Sequence, residues 1–127
     1  IQVSSNFERA LFDALGRDGA AVAALMADLS AGGFRIPQGA LQALRDRFAS
    51  GRSSEADTRD TIARTLAATG ELLCPHSAVG VNVAERHLGA DPMVTLATAH
   101  PAKFPDAVEA ATGIRPPLPP RMADLYD

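Results

Sequence analysis

Met93-Val94-Thr95-Leu96-Ala97-Thr98-Ala99-His100-Pro101-Ala102-Lys103-Phe104 is the stretch on which the reading of this chain turns. Its first half, residues 93–98, is short and apolar. It is bounded by the turn residues Gly89-Ala90-Asp91-Pro92 and by Pro101. Such a run reads as a strand of a buried parallel sheet. In sheets of that kind the carboxyl ends of the strands face the ligand crevice. Here that end carries a hydroxyl (Thr98), an imidazole (His100) and an amine (Lys103). The same residues also read as a strand closing in an ordinary proline turn, with Lys103 in solvent.

Lys103 stands out for a second reason. Eleven of the twelve basic residues are arginine, and Lys103 is the only lysine. Chemistry that needs a side-chain amine must use it or borrow a lysine from elsewhere. The arginine bias itself fits a GC-rich coding sequence, since lysine rather than arginine marks hyperthermophiles.

Working outward, helical spacing dominates. Phe7, Ala10, Leu11, Ala14 and Leu15 recur at the period of a helix behind Ser5 or Asn6 as cap. Ala20 to Leu29 forms a second helix, closed by Gly32-Gly33, and the two are expected to pack as an antiparallel hairpin. Phe34-Arg35-Ile36 is extended. Pro37 opens a third helix with Leu41, Leu44 and Phe48 on its buried stripe. Ser53-Ser54-Glu55-Ala56-Asp57 opens a fourth, with Ile62, Leu66 and Thr69 inward and Gly70 as its stop. Pro75 begins a fifth, running to about Leu88, in which Ala78, Gly80 and Ala84 let a neighbour approach closely. Pro105 to Thr112 is a short sixth. Pro116 to Pro120 is extended, and Met122 to Tyr126 forms a last helical turn.

This tally leaves one good strand without a partner, whereas a stable sheet needs about three. The rest of the sheet is therefore expected upstream or from another copy. The start of the chain points the same way. It begins at Ile1, and Ile1-Gln2-Val3-Ser4-Ser5-Asn6 alternates and stops like the tail of a strand. No signal peptide follows. The expectation is a fragment.

Composition excludes several classes. With 127 residues, 12 basic and 15 acidic, the net charge of -3 gives no basic nucleic-acid surface. Apolar residues are 46% of the chain, enough for a single core, yet no run nears the roughly 18 residues of a membrane span. One cysteine, Cys74, allows no internal disulfide and no cysteine-rich zinc site, which fits a reducing, cytoplasmic setting. His76, His87 and His100 lack metal-ligand spacing, so no metal site is assigned. His76 is expected to orient backbone at a helix start, and His87 to lie on the surface late in a helix. No nucleophile elbow, Walker loop or dinucleotide fingerprint is present, so no self-standing hydrolase, nucleotide-binding enzyme or dehydrogenase is supported.

Three motifs in order carry a family resemblance. Thr98-Ala99-His100-Pro101-Ala102-Lys103-Phe104 resembles the C-terminal signature of threonine synthase. Ile1 to Arg9 resembles the segment that leaves the catalytic core of that family. Pro75-His76-Ser77-Ala78-Val79-Gly80-Val81 is similar to its Pro-His-Thr-Ala-Val stretch, with Ser77 in place of Thr and Cys74 where Asp is common. The resemblance covers nearly the whole chain.

It implies a mostly helical C-terminal part of an α/β enzyme of the tryptophan-synthase-β-like architecture, with few short strands. Residues 1–127 would form one segment: 1–5 the end of a core strand, 6–74 mainly helical, 75–127 the return to the cofactor-binding core and the tail. The implied cofactor is pyridoxal 5'-phosphate, and the implied reaction turns O-phospho-L-homoserine and water into L-threonine and phosphate. The family places the cofactor-binding lysine and the phosphate-holding loop upstream of this segment. Lys103 lies in a different motif, so it is not assigned that role and no catalytic residue is named. The chain alone is expected to be inactive.

One site residue carries over. The hydroxyl at the Thr98 position lies by the pyridine nitrogen of the cofactor in the family. His100, Pro101 and Lys103 either shape the same wall or serve turn geometry. Ser5 and Asn6 either approach the cofactor or cap the first helix. From another class, a small helical interaction or regulatory module without cofactor also fits the helices, with self-association completing a sheet between copies. Lost packing partners would expose apolar faces, which also favours self-association.

Overall fold

A computed structural model describes residues 6–124. Six α-helices span Phe7–Ala14 (α1), Gly19–Ala31 (α2), Gln38–Arg45 (α3), Glu55–Thr69 (α4), Pro75–Glu85 (α5) and Pro105–Thr112 (α6). Short 3-10 turns stand at Pro101–Lys103 and Pro120–Met122. The chain divides into two compact units, Ile1–Ser50 and Gly51–Asp127.

In the first unit α1 packs mainly on α3 and less on α2. Leu11 of α1 and Ala40 and Leu44 of α3 are the buried residues. The expected pairing of α1 with α2 is thus the weaker of the two contacts, because α2 buries no residue fully. Its start is nonetheless well defined: the Asp18 carboxylate accepts from the Ala20 and Ala21 amides at 2.9 and 3.0 Å. Asn6, a candidate cap, offers no side-chain bond to α1. Phe48 does not extend the buried stripe. It is 60% exposed, since α3 ends at Arg45 and the helical spacing no longer holds beyond it.

The second unit is built on α4, which packs against both α5 and α6. Its start matches the signal in the sequence. Ser54 Oγ accepts from the Asp57 amide at 3.1 Å, and Asp57 accepts from the Ser54 amide at 2.9 Å, a reciprocal capping box. Gly70 ends it at φ 79°, a left-handed conformation that a β-carbon would strain. The core is made of small residues around one large one: Thr58, Thr61 and Ile62 of α4, Cys74, Ser77 and Ala78 at the start of α5, then Ala102 and Val108. The buried hydroxyls of Thr58 and Thr61 donate to the carbonyls of Ser54 and Asp57, four residues back, at 2.8 and 2.7 Å. They are therefore buried without an orphaned polar atom.

Residues 93–98, expected as a strand of a buried parallel sheet, form no strand: they have no regular secondary structure, and no strand is present among the described residues to pair with them. Helix α5 ends at Glu85, short of the expected Leu88. A 3-10 turn forms at Pro120–Met122, while the expected last turn from Met122 to Tyr126 lies partly outside the described residues. The expected strand end at residues 1–5, including Ser5, and the tail beyond 124 lie outside the described residues. Among those residues no helix is long and apolar enough to cross a membrane.

Candidate functional site

Helix α5 is the platform of the candidate site. Pro75 occupies its first position, where a missing amide costs nothing. Cys74 is the N-cap: its Sγ accepts from the Ser77 amide at 3.4 Å and lies 3.2 Å from Ser77 Oγ. The thiol thus occupies the place of a carboxylate or hydroxyl cap. It is buried and unpaired with any other cysteine.

Two ties hold α5 in place. The guanidinium of Arg64 on α4 meets the Glu85 carboxylate with both of its terminal nitrogens, Nη1 to Oε1 at 2.7 Å and Nη2 to Oε2. This bond lowers the Glu85 carboxyl below its usual range, against a smaller opposing effect of burial. On its other flank α5 meets the chain before α4. Asn82 Nδ2 donates to Ser53 Oγ, and Arg86 Nη1 donates to the Arg52 carbonyl at 3.1 Å.

The segment after α5 then comes back against it at a glycine. A β-carbon at Gly80 would stand 3.1 Å from Thr95 Cγ2, closer than ordinary contact. The small residue expected to admit a neighbour does so, and the neighbour is Thr95. Thr95 is half-buried, while Val94 and Leu96 are 78% and 75% exposed. Thr98 is exposed.

Past Thr98 the chain turns. His100 Nδ1 accepts from the Ala102 amide at 3.1 Å and so caps the turn at Pro101–Lys103. Ala102 is buried beneath it, and Lys103 is exposed. Of the two roles open to His100, this contact assigns turn geometry. His76, expected to orient backbone, does something else. Its ring stacks on Phe104 with centroids 4.7 Å apart and planes at 37°. Its Nδ1 is sealed from solvent and has no hydrogen-bond partner among the described residues. The spacing of residues 76 and 104 gave no warning of this pairing; only two rings in two separate motifs hinted at it. His87 is exposed just beyond the end of α5. Among the described residues no three His, Cys, Asp or Glu side chains gather as metal ligands.

The site is thus one wall: a helix, an irregular apolar segment that touches it at Gly80, and an exposed hydroxyl at the segment's end. Over 98% of this chain the structure matches a crystal structure of PLP-bound threonine synthase from Brucella melitensis, with a TM-score of 0.81 and 55% identity, covering 27% of that chain. Residues 77–127 match the family model described as threonine synthase, C-terminal. The chain is 47% identical over its whole length to threonine synthase of Pseudomonas aeruginosa, and 41% to that of Corynebacterium glutamicum. It spans 28% of the length of each. The chain belongs to the threonine synthase family and corresponds to its C-terminal portion.

Proposed function

We propose that this chain serves as the C-terminal part of an enzyme that converts O-phospho-L-homoserine and water into L-threonine and phosphate. The observation that supports this most is the match over 98% of the chain to a PLP-bound threonine synthase. The cofactor would be pyridoxal 5'-phosphate, which when bound supplies an electron sink for proton removal and loss of phosphate.

The residues present fit one edge of that group. Thr98 is exposed, so its hydroxyl is free to face a ring nitrogen brought by the rest of the protein. A neutral hydroxyl makes one hydrogen bond there and adds no charge. An aspartate in its place would keep the nitrogen protonated and deepen the electron sink. Lys103 sits in a turn capped by His100 and has no assigned part in holding the cofactor. On this reading the chain alone turns over no substrate, and its setting is cytoplasmic. Its exposed apolar side chains at Met93, Val94 and Leu96 support self-association when isolated.

The test is Thr98→Val in the intact enzyme. Loss of one hydrogen bond of about 1 kcal/mol weakens cofactor binding about fivefold. An unchanged absorption spectrum and rate would remove Thr98 from the site. The isolated chain mixed with pyridoxal phosphate should show no visible band, and borohydride should fix none onto Lys103. A saturable band fixed there would overturn the reading of the chain as inactive.

A further inference from the structure

The segment that carries Thr98 is fastened at two points to one face of α5. Gly80 admits Thr95, with a virtual β-carbon 3.1 Å from the Thr95 methyl. His76 holds Phe104 by a ring stack at 4.7 Å. Positions 76 and 80 are four apart in one helix, so both anchors lie on the same side, one turn from each other. Between the anchors the chain has no regular structure until the short turn at Pro101–Lys103. That turn is closed by His100 on the Ala102 amide. The place of Thr98 is therefore set by where α5 grips the chain on either side of it.

We propose that His76 and Gly80 are positioning residues that fix the Thr98 hydroxyl toward a heteroaromatic ring nitrogen, without touching that ligand themselves. The proposal rests on the reading of Thr98 given above. His76 acts through its ring face. Its buried Nδ1 makes no hydrogen bond among the described residues, so a phenyl ring can replace it in the stack. Gly80 acts through absence: an added β-carbon would stand 3.1 Å from the Thr95 methyl, so Thr95 has to give by a few tenths of an ångström.

The test uses the intact enzyme with His76→Ala, His76→Phe and Gly80→Ala, each alone and together with Thr98→Val. Two readouts are taken: amide exchange of residues 95–104 in the apoenzyme, and the dissociation constant and absorption maximum with pyridoxal phosphate. His76→Ala and Gly80→Ala should speed exchange across 95–104 and weaken cofactor binding, up to about fivefold, the loss expected from one hydrogen bond. The binding effect should vanish in the Thr98→Val background, because both act through that hydroxyl. His76→Phe should restore both readouts. If His76→Ala does not fold, Gly80→Ala and His76→Phe carry the test. Unchanged exchange in Gly80→Ala and His76→Ala overturns the anchoring. A binding loss that persists in full in the Thr98→Val background, or a His76→Phe variant that keeps slow exchange yet loses the cofactor, also overturns the proposal. Unchanged binding and spectrum in Thr98→Val alone overturns the reading of Thr98 instead, a result separate from the exchange data.

Discussion

His76 and Phe104 lie 28 positions apart in the chain and stack ring on ring, joining the first turn of α5 to the residue that precedes α6. The contact adds to the packing of α4 on both helices a direct link between them. An aromatic pair of this kind contributes about 0.5–1.5 kcal/mol beyond area burial. A double-mutant cycle of His76→Ala and Phe104→Leu, read by urea unfolding, should return a coupling energy in that range. A coupling near zero would mean that the two rings are neighbours without consequence.

Ile62 is the largest fully buried side chain of α4, and the other buried residues of its unit are small: threonines, serine, alanines, valine and a cysteine. Small neighbours on rigid helices collapse poorly around a void. Ile62→Ala should cost about 3–4 kcal/mol of unfolding free energy. Leu66→Ala, at a half-buried position on the same helix, should cost clearly less, and the two urea midpoints compare them directly.

The Arg64–Glu85 pair gives stability a pH dependence of known sign. Glu85 has its folded-state pKa lowered, chiefly by the hydrogen bonds from Arg64. Its contribution is present above the usual carboxylate range and is lost as pH falls through the folded value. Asp57, lowered by the backbone and side-chain hydrogen bonds of Ser54, adds in the same direction. Both side chains of the Arg64–Glu85 pair are more than a third exposed, so its share is only about 0.5 kcal/mol. The unfolding midpoint should fall between neutral and acid pH, and Glu85→Gln should flatten part of that fall.

Cys74 is buried and caps α5 through sulfur. A thiol in that state reacts with disulfide reagents only after opening of the fold. Labelling should be slow in buffer and complete in denaturant. Cys74→Ser should keep the cap, whereas Cys74→Ala should lower the melting temperature, since an N-cap is worth about 1 kcal/mol.

Val94 and Leu96 are exposed on a segment without regular structure. Neighbouring exposed apolar side chains of this kind favour association. The isolated chain should self-associate with rising concentration in sedimentation experiments. Leu96→Lys should shift it toward monomer.

The helices were legible because their signals are local. Ser54 and Asp57 are three apart, Pro75 stands at a first helical position, and Gly70 supplies a left-handed stop. The strand expected at 93–98 does not form: a short apolar run signals burial rather than a ladder, and a ladder depends on residues that no local pattern contains. The stripe through Leu41 and Leu44 overran at Phe48, because periodicity does not show where a helix ends. At the site, Gly80 could be seen as a place of close approach, though not that Thr95 would fill it. Placing His76 on Phe104 required the three-dimensional packing of two distant motifs.

Pinning Thr95 at Gly80 and Phe104 at His76 makes the intervening stretch a chain of fixed contour length between two posts. Substitutions within it change side chains and leave the posts where they stand. A single inserted or deleted residue cannot be absorbed in that way, because the posts lie one helical turn apart on a rigid rod. The slack or tension must appear at the middle, where Thr98 is. Length, more than identity, is what this segment has to conserve for its hydroxyl to stay on target.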